Sequence, residues 1–283
     1  MIQDQIRAAM SNIEASGHDQ SISEGTKATT TVTPSSRALS ADLQIASDPA
    51  LNEDGALAFL KRNDLSAEVI DRLAKNINAV KSRKVRIALV AHPHTPRHIS
   101  VPLARQLYTF DLMKVGLAPA VAADVKVAVD DVLIARLPAI TIGERLTLAH
   151  RASGRVAAAL LLTGKTASPA VSEIPKKAAG TLDPETRVLK TALENPRLTD
   201  ALIMSMILRP TASAALVHAV ANHAKWSRRV EIQCALLRTQ YLSLAKALAF
   251  SAEIPQSQLQ EILDSSRLPE SIKLQVLKQR SRT

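Results

Sequence analysis

The sequence predicts an all-α protein, an α-solenoid of about six helix-turn-helix repeats of roughly 30 residues each, preceded by a disordered N-terminal leader. Apolar residues make up 46% of the 283-residue chain but aromatic residues only 2%, so the core must consist mainly of Ala, Leu, Val and Ile. That composition favours helices. Eight glycines are few for an all-β protein, whose tight turns need residues that tolerate positive φ. The third observation is a recurring pattern of helix-capping hydroxyl residues.

The N-terminal segment, positions 1–40, is predicted to be a disordered, acidic leader rich in Ser and Thr. Residues 16–40 offer almost no large apolar side chains, so burial cannot offset the entropy lost when a backbone becomes ordered. Apolar residues at helical spacing allow a short amphipathic helix over residues 2–14. Residues 1–54 carry eight acidic and three basic residues, although the whole chain has a formal net charge of +10. The remainder of the chain is therefore strongly basic.

Hydroxyl residues that could cap helices recur from Ser66 onward. The intervals between successive candidates are close to the length of one repeat, except that the interval from Thr95 to Thr141 is much longer and needs an insertion. Some candidates are followed by features that begin helices, since Pro96 directly follows Thr95, and Glu144 follows Thr141 at the spacing of a capping box. The six predicted caps are Ser66, Thr95, Thr141, Ser168, Thr199 and Ser227.

An apolar segment precedes each predicted cap, so the predicted unit is a helix, a short turn and a second helix. The segments before Thr141 and Ser168, for example, are residues 124–137 and 154–162. Neither helix can bury its apolar stripe alone, so successive units must stack into a continuous core. The predicted organisation is a leader at 1–40, helical repeats over 41–252 with an extended or additional helix at 107–123, and capping helices with a basic tail over 253–283.

Three of the seven histidines fall within the stretch AHPHTPRHIS at residues 91–100. His94 and His98 have the i, i+4 spacing of a helical zinc pair, but Thr95 and Pro96 between them begin a helix, so the rings are not expected on one face. No acidic residue or cysteine lies within ten positions of the stretch to complete a site. The stretch is predicted to close one helix, at His92, and to cap the next.

A basic surface is the strongest candidate for binding. In a stacked array the turns and second helices line one edge and the inner face, so bases from several repeats can lie together. Such a surface favours an acidic protein partner or nucleic acid, although solvated Lys and Arg side chains are an equally good interpretation. One Trp, two Tyr and three Phe provide few stacking platforms, and Trp226 is interpreted as a core anchor. The candidate residues are Arg97, Arg145, Lys225, Arg228, Arg229 and Arg238.

The phrases AHPHTP and ENPRLT, each closing one helix and opening the next, resemble the turn of bacterial HEAT-like and leucine-rich-repeat-variant α-solenoids. The stretch from Asp124 to about Leu268 looks like an uncharacterised bacterial family of such proteins. The resemblance implies an architecture and leaves the chemistry open, because these families include scaffolds, partner-binding proteins and a few enzymes. Some leucine-rich-repeat-variant proteins carry an N-terminal cysteine cluster, whereas the single cysteine of this chain is Cys234.

The sequence therefore predicts a non-catalytic scaffold that binds a protein partner on its concave, basic face. Nucleic-acid binding is the leading alternative, and a small-molecule enzyme on the same scaffold is a remote one, because a fold does not determine a function. No catalytic residue, cofactor or metal ligand is predicted. The chain has no signal-peptide core and no apolar run long enough to span a bilayer, which predicts a cytoplasmic protein without membrane insertion.

Overall fold

The structure, a computed structural model, describes residues 34–163 and 183–281, and it is all-helical over those two stretches, with no strand in either. By its internal contacts the chain divides into two units, residues 1–38 and residues 39–283. The described part of the first unit is the beginning of one helix. The seventeen helices of the described stretches are α1 (Pro34–Ser47), α2 (Glu53–Leu60), α3 (Ala67–Lys75), α4 (Ile77–Lys81), α5 (Arg83–Ala91), α6 (Arg97–Arg105), α7 (Thr109–Leu117), α8 (Ala123–Arg136), α9 (Ile142–Arg151), α10 (Gly154–Leu160), α11 (Pro184–Leu193), α12 (Asp200–Ile207), α13 (Ala214–Asn222), α14 (Val230–Leu237), α15 (Leu244–Glu253), α16 (Gln256–Asp264) and α17 (Glu270–Arg280).

The first described helix, α1, begins within the segment that the sequence assigns to the leader. Pro34 is its first residue, whereas the predicted boundary is at residue 40. The preceding part of the predicted leader, with its short helix at 2–14, lies outside the described residues. The predicted cap Ser168 also lies outside them.

The helices form two rows, because the main contacts of each helix are with helices close to it in chain order. In the first row α2, α5, α7, α9, α11 and α13 contact one another in succession, and α15 contacts α17. In the second row the succession is α6, α8, α10, α12, α14 and α16. Contacts between the rows include those of α5 with α6, α7 with α8 and α9 with α10. The arrangement fits a stack of repeats in which each unit packs on its neighbours.

The predicted repeats are out of phase in the middle of the chain. The sequence assigns residues 124–137 and 154–162 to first helices, whereas the corresponding helices, α8 and α10, lie in the second row. Thr141 accordingly begins α9, which belongs to the first row. The cause is the segment 107–123, because it contains a complete first-row helix, α7, and so adds one helix to the count. From α11 onward, the predicted first helices again lie in the first row.

Three of the predicted caps begin helices as expected. Ser66 and Thr199 each accept a hydrogen bond from the backbone N–H three residues further on. Thr141 and Glu144 form a complete capping box, in which each side chain accepts a hydrogen bond from the backbone N–H of the other residue. These caps satisfy N–H groups that the first turn of a helix leaves without partners.

The predictions that Thr95 and Ser227 cap helices are wrong. Pro96 is the N-cap of α6, and the Thr95 hydroxyl instead donates to the carbonyl of Leu89 near the end of α5. Arg229 is the N-cap of α14 and makes no side-chain capping bond. In each turn the residue with the extended backbone that precedes the helix, Pro96 or Arg229, lies further along the chain than the hydroxyl residue, and it makes no side-chain capping bond.

Hydrogen bonds between units recur at nearly the predicted repeat length. Asn76, Arg136 and Ser266 each donate from the side chain to a backbone carbonyl 29 or 30 residues earlier. Asn195, in the turn before α12, makes a bond of the same kind over a longer sequence separation. Its Nδ2 donates to the carbonyls of Ala149 and Ala152, 46 and 43 residues earlier, at the end of α9. Because each of these bonds joins a turn or a helix end to the preceding unit, they fix the stacking of neighbouring repeats.

The core consists almost entirely of aliphatic side chains, as the composition predicts. Trp226, 1% exposed, is the largest of the fully buried side chains. Its Nε1–H donates to the carbonyl of Leu193 at 2.8 Å, which attaches the turn before α14 to the end of α11. The interpretation of Trp226 as a core anchor is confirmed.

Candidate basic binding surface

The structure places the predicted basic residues in several parts of the array. Lys225, Arg228 and Arg229 are exposed in the turn before α14. Arg238 directly follows the same helix, so about 12 Å of helix separates it from that turn. Arg97 is exposed at the start of α6, whose main contacts are with α5 and α8. The predicted residues therefore belong to at least three separate groups.

Arg145 does not belong to an exposed surface, and this part of the prediction is wrong. Its side chain is only 9% exposed, and its Nη1 donates to Oε1 of Glu185 at 2.9 Å. Its Nη2 donates to the carbonyl of Pro138 at 3.3 Å. The ion pair links α9 to the first turn of α11. The two residues are 40 positions apart, so no local sequence pattern indicates that their side chains form a pair.

The turn before α14 carries bases that already interact with neighbouring side chains. The Nζ of Lys225 lies 3.9 Å from the centroid of the Trp226 ring, within the range of a cation–π interaction. Arg229 lies 3.6 Å from a carboxylate oxygen of Asp200. Arg228 is exposed beside them. The turn is therefore a basic edge whose charge is partly used within the protein.

The histidine-rich stretch has a structural role. His92 ends α5 and is buried, and its Nε2 donates to the carbonyl of Arg62 at 2.8 Å. Its Nδ1 accepts a hydrogen bond from the N–H of His94 at 3.2 Å, so both ring nitrogens are engaged. The prediction that His92 closes a helix is confirmed. Within residues 34–163 and 183–281 no group of three or more His, Cys, Asp and Glu side chains is arranged to hold a metal ion.

A cavity of about 230 Å³ lies at the C-terminal ends of the second-row helices α12, α14 and α16. Arg209, Arg238 and Arg267 line it, one from the end of each helix or the turn after it. Two of these turns are joined directly, because the N–H of Arg267 donates to the carbonyl of Arg238 at 3.2 Å. We call this site the arginine cavity. Its polar lining also includes Thr239, Gln240, Tyr241 and Ser265, and none of its lining residues within 34–163 and 183–281 is acidic.

The three arginines of the cavity are exposed, and their guanidinium groups make no ion pair or side-chain hydrogen bond within the described part of the chain. Other arginines show what a structural role looks like in this fold. Arg136 and Arg280 each donate to two backbone carbonyls of the preceding unit. The guanidinium groups of Arg209, Arg238 and Arg267 therefore keep their N–H donors available for a ligand.

A helix C-terminal end is by itself a favourable place for a base, because the helix dipole is negative there. This interaction contributes roughly 0.3–1 kcal/mol for an exposed side chain. It accounts for a single arginine at the end of α12, α14 or α16. The dipole favours one base at each of these helix ends, but it does not require the three arginines to line a single cavity.

Of the three cavity arginines, the sequence prediction includes only Arg238. Arg209 lies one repeat before it in the sequence and Arg267 one repeat after it. A search for bases at a fixed position of every repeat would have found them. The prediction instead grouped bases that are close together along the chain.

No family model, curated protein or solved structure matches this chain. The resemblance to HEAT-like and leucine-rich-repeat-variant proteins therefore stays a prediction. Across the described helices none combines the length and the apolar character needed to cross a membrane.

Proposed function

We propose that this chain is a non-catalytic helical-repeat protein that binds an acidic segment of a protein partner at the arginine cavity. The observation that carries the proposal is the set of three unpaired arginines, spaced one repeat apart, around one cavity. Arginines that line one cavity, with no acid among its described lining residues, create a local positive potential, which attracts and orients negatively charged partners. The planar guanidinium also matches a carboxylate or phosphate with two parallel hydrogen bonds.

The cavity also offers the mixture of side chains that protein interfaces use. Leu208 lines it and is 38% exposed, and Pro210 and Tyr241 lie in the same lining. Arginine and aromatic residues are enriched in protein interfaces, where apolar contacts supply much of the binding free energy. An acidic segment with an apolar residue beside its acid fits this combination.

Nucleic acid is the other anion that a basic surface could bind. Single strands gain much of their affinity by stacking on aromatic side chains. In the part of the chain that the structure describes, the exposed large aromatic residues are Tyr108 and Phe110, at the start of α7. The main contacts of α7 are with α5, α8 and α9, whereas the cavity lies among α12, α14 and α16. Among the described residues that line the cavity, Tyr241 is the single aromatic residue, and it is half-buried. A strand bound there would therefore have few stacking platforms, which favours a protein partner.

The test is capture of partners from native lysate on the immobilised full-length chain, with and without nuclease. We expect nuclease-resistant proteins that elute as the salt concentration rises, because exposed ion pairs are screened by salt. The variant Arg209→Gln/Arg238→Gln/Arg267→Gln should lose them. Purified partner and chain should then reproduce the binding in a titration.

The matched control removes the same charge at three other exposed arginines. Arg72, Arg151 and Arg187 are exposed and unpaired in the described stretches, so their triple glutamine variant should keep the partners. Equal loss in both variants would mean that only net charge matters, and it would contradict a specific site. Loss of all bound protein after nuclease treatment would favour nucleic acid instead.

A further inference from the structure

We infer that the arginine cavity is a binding site for a phosphate monoester, carried by a phosphorylated side chain of the protein partner. The inference rests on the proposed function and specifies the acidic group. It concerns the guanidinium groups of Arg209, Arg238 and Arg267 and the polar lining between them.

The size of the cavity points to a group rather than a whole small molecule. Sites for drug-sized ligands occupy about 300–1,000 Å³. The arginine cavity, at about 230 Å³, is smaller than this range, yet it exceeds what a water molecule requires. A single phosphate with the end of its side chain fits such a space, and the remainder of the segment would lie outside it.

The charge of the cavity points to a dianion. Three guanidinium groups contribute three positive charges, and none of the described residues that line the cavity is acidic and could compensate for them. A carboxylate supplies one negative charge, whereas a phosphate monoester supplies about 1.5 to 2 at neutral pH. The doubly charged group therefore neutralises more of the charge that the cavity leaves unpaired.

The arrangement of the donors points to a tetrahedral oxyanion. One arginine comes from each of three successive units, and Gln240, Tyr241 and Ser265 bring further polar groups to the same lining. A carboxylate has two oxygens in one plane, whereas a phosphate monoester presents three terminal oxygens in different directions. Donors that come from three separate turns can each bond a different oxygen of the phosphate.

The backbone of a nucleic acid fits this arrangement less well. Each phosphodiester carries one negative charge, and successive phosphates follow one another along a strand. A surface that follows a strand therefore spreads its bases along a groove. Here the three repeat-related arginines line one cavity instead.

The experiment is a titration of the full-length chain, labelled with ¹⁵N in its arginine side chains, with O-phosphoserine as the probe. We expect saturable shifts of the Nε–H signals of Arg209, Arg238 and Arg267. Glutamate and dimethyl phosphate, which represent a carboxylate and a phosphodiester, should bind about tenfold more weakly. Affinity for O-phosphoserine should rise between pH 5 and pH 7.5, because its second ionisation falls near pH 6 while arginine stays protonated.

Variants connect the signals to the cavity. Arg238→Gln should lower the affinity for O-phosphoserine about tenfold, and Arg238→Lys, which keeps the charge but loses the planar pair of donors, should lower it less. Arg187→Gln is the matched control and should leave the affinity unchanged. Because Arg238 is exposed, the folding of its variants should match that of the parent chain in thermal unfolding.

The outcomes distinguish this inference from the proposed function. If O-phosphoserine does not bind, or binds no more tightly than glutamate, the phosphate site is wrong. The acidic-partner function then still stands when the cavity variant loses its captured protein. Binding of O-phosphoserine together with release of the partner by phosphatase supports both proposals. Binding of O-phosphoserine by a chain that captures no protein supports the phosphate site and contradicts the partner.

Discussion

The ion pair between Arg83 and Asp111 is the clearest case of one residue stabilising the stack. Two guanidinium nitrogens of Arg83 donate to the two carboxylate oxygens of Asp111 at 2.7 and 2.8 Å, and the Asp111 side chain is 2% exposed. This pairing holds the pKa of Asp111 below its usual range. We expect Asp111→Asn to lower the free energy of unfolding by about 1–2 kcal/mol, since the buried carboxylate loses its charge-assisted hydrogen bonds to Arg83, whose own side chain is 53% exposed and screened by solvent. Urea unfolding at pH 7 measures the change.

The control for Asp111 is an aspartate that pairs with arginine in solvent. Asp131 lies 2.8 Å from Arg155, but its side chain is 60% exposed. Exposed ion pairs contribute little to stability, so Asp131→Asn should unfold at nearly the same urea concentration as the parent chain. A similar loss in both variants would contradict the importance of burial for the Arg83–Asp111 pair.

Asp130, the buried neighbour of Asp131, should destabilise the folded chain when its carboxyl is ionised, whereas the ionised carboxyl of Asp111 stabilises it. Burial raises the pKa of its carboxyl, although Ser153 and Arg155 act to lower it. The folded chain then keeps this proton to higher pH than the unfolded chain, so the contribution to stability falls as pH rises from about 4 through the raised pKa. The stability of Asp130→Asn relative to the parent should increase over this range in urea unfolding. A difference that stays constant with pH would contradict the raised pKa.

At the scale of elements, the start of α10 shows how tightly the second row is packed. A Cβ atom on Gly154 would collide with the backbone carbonyl of Arg197, in the turn before α12. We expect Gly154→Ala to destabilise the chain by about 1–3 kcal/mol, because a backbone carbonyl cannot move aside as a flexible side chain could. The variant should show a lower midpoint in thermal unfolding followed by circular dichroism.

Gly143, in the first turn of α9, supplies the matched control. A Cβ atom there would meet nothing within 4 Å. Gly143→Ala should therefore leave the midpoint unchanged or raise it, since alanine favours a helix over glycine by up to about 1 kcal/mol. If both alanine variants destabilised the chain equally, the close approach at Gly154 would not be the cause.

The sequence predicted correctly those helix starts that depend only on residues close together along the chain. The capping box of Thr141 and Glu144 is complete within four positions, so it could be recognised locally. The hydroxyl of Thr95 bonds a carbonyl of the preceding helix, and only the folded turn shows that geometry. The pairing of Arg145 with Glu185 depends on how units stack, which no local pattern contains.

For the whole molecule, the sequence predicted the class of fold and the repeat length but not the phase of every repeat. Both rows use the same aliphatic residues, so composition does not distinguish a first-row helix from a second-row helix. The helix α7 was therefore predicted only as an extended or additional helix. The arginine cavity depends on this stacking, because its three arginines lie on three separate units.

An array held together by neighbouring contacts should open from its least packed end. Val276 is the only buried residue of the eleven in α17, and the main contact of this helix is with α15. Five of the seven residues of α10 are buried, and α10 contacts helices of both rows. In native-state hydrogen exchange we therefore expect amides of α17 to exchange much faster than those of α10. Val276→Ala should speed exchange in α17 and leave α10 unchanged, whereas a chain that opened only as one unit would show the same opening free energy in both helices.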